Sequence, residues 1–206
     1  MTPPRAPALR LPLFTLTGLL MAGLLWWLQS SQPSAPAETG QAPADWPWLN
    51  EQLLEPVRSE RLNLASLRER VAGSLWLEGH GESARLLYRA EFSRALPWRL
   101  QARLQADTAD LQALDEALGS EALRQLDTAQ TLQLAEHAIA ELWLAPQQPL
   151  SAADWRAAAG EPRLRLPLES RDAWVYPPLG LTAHLADNQV ELIHQLPAAA
   201  MRQPEH

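Results

Sequence analysis

The chain has 206 residues, a formal net charge of −7, nine tryptophans and no cysteine, and all 17 of its basic residues are arginine. These counts exclude disulfide-stapled folds, thiolate chemistry, attachment of a lipid to a lipobox cysteine, and catalysis by a Schiff-base or P-loop lysine. The acidic balance argues against a nucleic-acid binder, because such binding depends on neutralising phosphates, while the 47% hydrophobic content indicates a folded chain.

The first predicted element is an uncharged apolar segment over residues 11–28, which as a helix would span about 27 Å, close to the thickness of a bilayer core. Arg5 and Arg10 precede this segment, and Trp26 and Trp27 lie at its other end. Arginine and tryptophan are expected at these two places, where a membrane-spanning helix meets the membrane interfaces. The positive-inside rule then predicts a cytoplasmic N-terminus and an exported remainder. The arginine-only, Ala- and Leu-rich usage indicates a GC-rich bacterial genome, so we expect an inner-membrane anchor and a periplasmic domain.

Two alternatives to an uncleaved anchor are open for this segment. Ala35-Pro36-Ala37 has the small-x-small pattern of a signal-peptidase site, which favours a signal peptide cleaved after Ala37. The apolar stretch is longer than an ordinary signal-peptide core, and the cleavage pattern lies well beyond its end, so the anchor is preferred. The other alternative, a buried core helix, is disfavoured by the flanking charges and by the linker that follows.

A Pro/Ala-rich tether follows the apolar segment and ends at Trp46 and Trp48. These two rings are expected either to cover the core of the next domain or to form a patch for a partner. The predicted organisation is a cytoplasmic N-terminus over 1–10, a transmembrane helix over 11–28, a linker over 29–45, an exported globular domain over 46–197 and a disordered tail over 198–206.

The first part of the domain is predicted to be two helices followed by strands. Helical spacing of leucines indicates a short helix that breaks at Pro56 and a second helix from about Leu62. Strict alternation of apolar with Arg or Gln residues predicts a half-buried strand over 98–105, and similar patterns predict strands over 74–78 and 86–92.

Helices are predicted for the middle of the domain. Asp107 is a candidate N-cap for a helix that ends at Gly119, and Ser120 is a candidate N-cap for a longer helix from Glu121 to Pro146, with a break near Asp127. A further short helix is predicted between Ser151 and Gly160.

The last third is predicted to return to strands. The alternating residues 163–168 contain Pro167 and therefore indicate an edge strand, and a short strand is predicted over 173–176. Residues 181–196 are predicted to form a hairpin that turns at Asp187-Asn188 or Asn188-Gln189. Runs of strands separated from runs of helices predict an α+β fold with a mainly antiparallel sheet and packed helices.

No catalytic residue, metal site or cofactor is predicted. A turn at Asn188-Gln189 would pair His184 with Glu191 on one face of the hairpin and place His194 on the other, which is too few convergent ligands for a metal. The segment around Ser83 lacks the glycines of a nucleophile elbow, and most carboxylates are expected to be caps or solvated strand residues.

The arginines provide the main functional hypothesis. They alternate with apolar residues on three predicted strands, as Arg85 and Arg89, Arg99 and Arg103, and Arg163 and Arg165. Such faces are expected to be either ordinary solvated surface or, together with Trp46 and Trp48, a surface for a protein partner.

We therefore expect an anchored, non-enzymatic interaction domain in the bacterial envelope, with an assembly, regulatory or immunity role and a protein partner. The alternatives are an envelope hydrolase with an unrecognised carboxylate or histidine site, and a module that binds a small ligand.

Overall fold

The structure, a computed structural model, describes residues 40–119 and 121–200. The predicted membrane helix with Arg5, Arg10, Trp26 and Trp27, the cleavage pattern at Ala37, and the predicted cap Ser120 lie outside the described residues. No helix in the described part of the chain combines the length and the apolar character needed to cross a membrane.

The described residues form a mixed α+β fold with few helices and one large sheet, which confirms the predicted class. The helices are α1 (Trp46–Leu49), α2 (Glu55–Arg58), α3 (Leu64–Arg70), α4 (Thr108–Leu118), α5 (Thr128–Gln133) and α6 (Ala152–Ala159), with a π-helical segment (Asn50–Leu54) that joins α1 to α2. The strands are β1 (Gly73–Glu78), β2 (Arg85–Ser93), β3 (Pro97–Leu104), β4 (Leu123–Gln125), β5 (Ile139–Pro146), β6 (Leu164–Pro167), β7 (Asp172–Tyr176), β8 (Leu181–Ala186) and β9 (Gln189–Gln195).

The nine strands form a single sheet in the order β4-β1-β2-β3-β5-β9-β8-β7-β6, and every neighbouring pair is antiparallel. The order divides into two similar units, each a helical segment followed by four strands. Helices α1–α3 precede β1, β2, β3 and β5, while α6 precedes β6, β7, β8 and β9. The two units meet where β5 pairs with β9. The sequence shows no repeat because only the topology is shared: the first unit also carries α4, β4 and α5 between β3 and β5.

Alternate residues of the strands face the helices and form the core. Leu75, Leu77, Leu100, Leu144 and Ile193 are each at most 1% exposed, and they pack with leucines of α1–α3 and with Trp155 of α6. The helices of the described chain add buried side chains only to this face of the sheet. The opposite face of the sheet is called the open face below. Residues paired across neighbouring strands share a face, so one row of open-face residues crosses the sheet through Ser74, Arg89, Gln101, Trp143, His194 and Thr182.

The predicted break at Pro56 is wrong, because the helical segment continues through this residue to Arg58. Proline ordinarily collides with the carbonyl group four residues before it. Here the preceding turn is π-helical, and the Glu55 N–H donates to the carbonyl of Asn50, five residues back. This wider turn accommodates the proline ring. The break comes after Ser59, where Glu60 adopts a positive φ of 57°.

The long helix predicted from Glu121 to Pro146 is also wrong. The segment contains β4, the short helix α5 and β5 instead. Asp127 caps α5 through a hydrogen bond from Gln130 N, 2.8 Å, and the helix ends after six residues. In β5, the buried residues Leu142 and Leu144 alternate with Trp143, so strand periodicity and pairing with β3 prevail over helix propensity.

The hairpin turn falls at Asp187-Asn188, the first of the two predicted positions, and both residues have the positive φ of such a turn. A register shift between His184 and Leu185 then places His184 opposite Leu192, and Thr182 opposite His194. The expected pairing of His184 with Glu191 is therefore wrong. Since Thr182 and His184 alternate on β8, both hairpin histidines lie on the open face.

The other local expectations agree with the structure. Asp107 caps α4 by accepting from Asp110 N, Ser151 caps α6, and β6 is an edge strand.

Residues 40–45, predicted as the end of the linker, pack on the domain: Gln41 N donates to Asp154 Oδ1 at 2.8 Å, and a Cβ on Gly40 would lie 2.1 Å from the backbone of Ala153.

Candidate interaction surface on the open face

Two tryptophans occupy the open face because of the same tripeptide. Leu75-Trp76-Leu77 lies on β1 and Leu142-Trp143-Leu144 lies on β5. The leucines of both tripeptides are buried under the helices, so the two-residue period of a strand turns both indole rings to the opposite side. Strands β2 and β3 separate β1 from β5 by about 14 Å, and Trp76 is two residues along the strands from the row of Trp143, so the two Cα atoms are about 16 Å apart.

A shallow trough runs across the sheet between these two rings. One cavity of about 550 Å³ and an adjoining one of about 270 Å³ share Arg99 and Gln101 as lining residues. The larger cavity is bordered by Trp76 and the smaller by Trp143. The polar lining side chains are Ser74, Arg89, Glu91, Arg99 and Gln101. The trough therefore has an aromatic wall towards each end and hydrogen-bond donors and acceptors on its floor.

Four of the predicted arginines lie together on the open face, on the adjoining strands β2 and β3, and each meets a carboxylate. Arg85 and Arg89 both contact Glu78, at 2.7 and 3.2 Å. Arg99 contacts Glu91 at 3.3 Å, and Arg103 pairs with Glu141. Four arginines and three glutamates leave one net positive charge, so this region is a lattice of ion pairs and not a strongly basic stripe. Among these four arginines, only Arg89 has a buried donor, Nε, without a hydrogen-bond partner in the described part of the chain.

Arg163 and Arg165 lie elsewhere. Arg165 is on the edge strand β6, separated from β3 by five positions in the strand order. It stands opposite the buried Trp174, so its side chain is on the helix-covered face, where it lies 4.7 Å from the Trp174 ring and 3.0 Å from Glu161. Arg163 precedes β6 and is exposed. The structure therefore does not bring the six arginines into one patch.

The seam between the two units carries a second group of polar contacts on the open face. The His194 ring stacks on Trp143 with 5.1 Å between centroids and 5° between planes, and its Nε2 lies 3.3 Å from Glu141, which also pairs with Arg103. Burial lowers the pKa of His194, an effect that Arg103 reinforces and Glu141 opposes. Burial, with His194 and Arg171 nearby, also lowers the pKa of His184. These contacts join β3, β5 and β9, so they connect the two four-stranded units.

The remaining described histidines have structural contacts. His80 Nδ1 and the Gly81 N–H both lie 2.9 Å from Asp115, and the buried Arg124 lies 2.7 Å from the same carboxylate. These hydrogen bonds, that of Gly81 foremost, lower the pKa of Asp115. They fasten α4 to the turn between β1 and β2.

His137 contacts Asp110 at 3.1 Å. Within residues 40–119 and 121–200, no three His, Asp or Glu side chains are placed to hold one metal ion.

Trp46 and Trp48 are both partly buried against the core. Trp46 packs edge-on against Trp155 of α6 at 5.1 Å, and Trp48 lies 5.7 Å from Phe92 with the Arg94 guanidinium 3.9 Å above its ring. They cover one end of the core, as in the first of the two sequence-based alternatives, and they lie away from the trough.

The far edge of the open face is apolar. Leu164, Leu166 and Leu168 are 49%, 42% and 49% exposed, and the first two stand opposite Val175 and Ala173 of β7. These three leucines are called the β6 leucines below. They account for most of the exposed large apolar side chains among the described residues.

Comparison with known protein families, with curated proteins and with solved structures finds no match for this chain. The candidate surface is therefore defined by its own residues. Sequence reasoning missed Trp76 and Trp143, the two aromatic walls of the trough. The signal available was the repeated Leu-Trp-Leu tripeptide, which places a tryptophan opposite two core leucines wherever the segment is a strand.

Proposed function

We propose that this chain is a non-enzymatic interaction module that binds a segment of a protein partner in the trough between Trp76 and Trp143. The observation that supports this proposal is the trough itself. It crosses a sheet face that no helix of residues 40–119 and 121–200 covers, and tryptophan and arginine border it. Both residue types are enriched among the few residues that contribute most of the binding energy in protein interfaces.

The charges of the trough favour a protein segment over a polyanion. Because Glu78, Glu91 and Glu141 pair with the arginines of this region, little positive charge is left to attract phosphates. The floor carries both donors and acceptors, and the buried Nε of Arg89 has no partner in the described chain. A peptide carries both carbonyl acceptors and N–H donors, and it therefore complements this arrangement.

We further propose that the module is held at a bacterial inner membrane, with residues 11–28 as the anchor and the domain in the periplasm. The support is the sequence pattern of that segment and of its flanking residues. Protease treatment of intact spheroplasts should digest the domain and spare the membrane segment. N-terminal sequencing of the mature chain should return residue 1 or 2, whereas a new terminus at Glu38 would mean that the segment is a cleaved signal peptide.

Site-specific photocrosslinking in living cells tests the binding surface. A photoreactive residue at Gln101, on the floor of the trough, is compared with the same residue at Gln112, which is exposed on α4. We expect one discrete protein adduct from position 101 and none from position 112. With the partner purified, Trp76→Ala or Trp143→Ala should weaken binding by about 2 kcal/mol, which is roughly 30-fold in Kd.

Leu132→Ala is the matched control for the loss of apolar surface, because Leu132 is 60% exposed on α5 and lies outside the trough. Its binding should equal that of the unmodified chain. Equal adducts from positions 101 and 112, or an adduct at 101 that persists in both tryptophan variants, would contradict the proposal.

A further inference from the structure

The β6 leucines lie on an edge strand or, for Leu168, directly after it, and no strand of the described chain pairs with the outer side of β6. An edge strand with adjacent exposed leucines is a template for another strand. The opposite edge differs, because β4 has only three residues and Arg124 at its centre is buried and hydrogen-bonded. Any strand added to the sheet is therefore better accommodated at β6.

The sequence around Leu166 is self-complementary in an antiparallel sense. Positions at equal distances before and after Leu166 hold Leu164 and Leu168, and then Arg163 and Glu169. In a two-fold symmetric contact, residue i of one copy meets residue j of the other, and j meets i. We infer that β6 pairs with β6 of a second copy of this chain, about a two-fold axis at Leu166.

The charges support a second copy as the occupant. Arg163 and Glu169 are exposed, and neither makes an ion pair with any residue of the described chain. The symmetric pairing places each beside its opposite charge on the other copy, twice per dimer. The six leucines of the two copies then lie side by side between these charged ends.

The backbone of β6 is compatible with this contact. Leu168 and Arg171 exchange hydrogen bonds across the β6–β7 turn, with N–O distances of 2.7 and 3.4 Å. The alternation of an antiparallel ladder then turns the N–H and C=O of Arg165 outward, and it makes Leu166 a non-hydrogen-bonded position towards the second copy. The Arg165 N–H is placed to donate to the Pro167 carbonyl of the other copy.

Pro167 limits the strength of the contact. Its nitrogen faces outward and has no hydrogen to donate, which is where proline occurs in edge strands. Each copy therefore donates one backbone hydrogen bond fewer to the other at this position. The leucines and the charged residues at the two ends must then determine the register of the pairing. The expected dimer is small and reversible, so a test has to detect a weak association in a defined register.

The cysteine-free sequence allows such a test with the full chain in membranes. In a non-hydrogen-bonded pair, facing Cα atoms are about 4.5 Å apart, within the range of a disulfide. Leu166→Cys should therefore crosslink to itself when an oxidant is added. Leu164→Cys is the matched control, because its equivalent in the other copy is four residues away along the strand, about 13 Å. Neither Leu164→Cys nor Leu168→Cys should crosslink alone, but a mixture of the two should.

Charge reversal tests the register independently. Arg163→Glu in the Leu166→Cys chain should lower the initial rate of crosslinking at least fivefold, and adding Glu169→Arg should restore the rate. A monomeric Leu166→Cys chain, a Leu164→Cys chain that crosslinks equally fast, or a rate that does not respond to charge reversal would overturn the inference. None of these readouts involves Gln101 or its photocrosslinked adduct, so the dimer and the proposed docking function succeed or fail separately.

Discussion

Strands β3 and β6 share a sequence pattern but present opposite halves of it. In β3, Trp98 and Leu100 face the helices while Arg99 and Arg103 face the open side. In β6 the leucines face the open side, and Arg165 lies on the helix-covered face against Trp174. The open face is therefore a lattice of ion pairs over β1–β3 and an apolar strip at β6.

The difference shows what an alternating pattern specifies. Period two establishes that a strand has one apolar and one polar face, but a one-residue change of phase exchanges the two faces. The residues packed against the strand decide which of its two sets of side chains faces the helices, and this choice is called the phase of the strand. At the edge of the sheet, Arg165 covers the indole of Trp174 with its guanidinium and reaches Glu161, so an arginine fits that side.

The largest expected contrast is between two leucines of these strands. Leu100→Ala, at 0% exposure, should lower the free energy of unfolding by about 2–5 kcal/mol, because it leaves a cavity under the helices. Leu166→Ala, at 42% exposure, should change it by less than about 0.5 kcal/mol at low protein concentration. Urea denaturation followed by tryptophan fluorescence measures both. Equal losses would mean that β6 has the same phase as β3.

A second contrast lies within the ion pairs of the open face. Glu141 contacts both Arg103 and His194 at the seam, and its side chain is 19% exposed, whereas the Glu91 side chain is 72% exposed beside Arg99. Glu141→Ala should cost about 1–2 kcal/mol of unfolding free energy, and Glu91→Ala less than about 0.5 kcal/mol. If the two variants unfold at the same urea concentration, the seam does not depend on these contacts.

The comparison of β3 with β6 also shows which features of the fold can be predicted from the sequence. The β2–β3 strands, the edge position of β6, the caps at Asp107 and Ser151, and the turn at Asp187-Asn188 follow from local chemistry, and the structure confirms them. Strand β5 could not be predicted in this way, because the spacing of its leucines also fits a helix, and only the pairing with β3 distinguishes the two.

The candidate surface was only partly accessible from the sequence. Four of the six arginines proposed for a partner surface meet on the open face, but their carboxylate partners come from other strands, and sequence separation does not reveal such pairs. Trp143 was hidden by the helical assignment of its segment. The phase of Arg165 depends on Trp174 of β7 and Glu161, and no single-strand pattern contains that information.

A third contrast compares arginines across the phase change. Arg165→Ala removes a cation–π contact with Trp174 and should cost about 0.5–1 kcal/mol, with a shift of tryptophan emission as that ring gains water. Arg99→Ala removes an exposed ion pair with Glu91 and an exposed hydrogen bond to Gln147, and it should leave both stability and emission nearly unchanged. An emission shift in Arg99→Ala but not in Arg165→Ala would reverse the assignment of the two faces.

The smallest expected effect is a pH dependence from His184 and His194, between the two ends of the open face. Both pKa values are lowered from the usual 6.5, mainly by burial, so the folded state binds fewer protons than the unfolded state just below that pH. By linkage, stability is complete above about pH 6.5 and declines as the pH falls towards the folded-state values. Replacing both histidines by glutamine should flatten the urea midpoint between about pH 7 and pH 5.5. A midpoint that rises on acidification in the unmodified chain would show that protonation strengthens the Glu141–His194 contact more than burial opposes it.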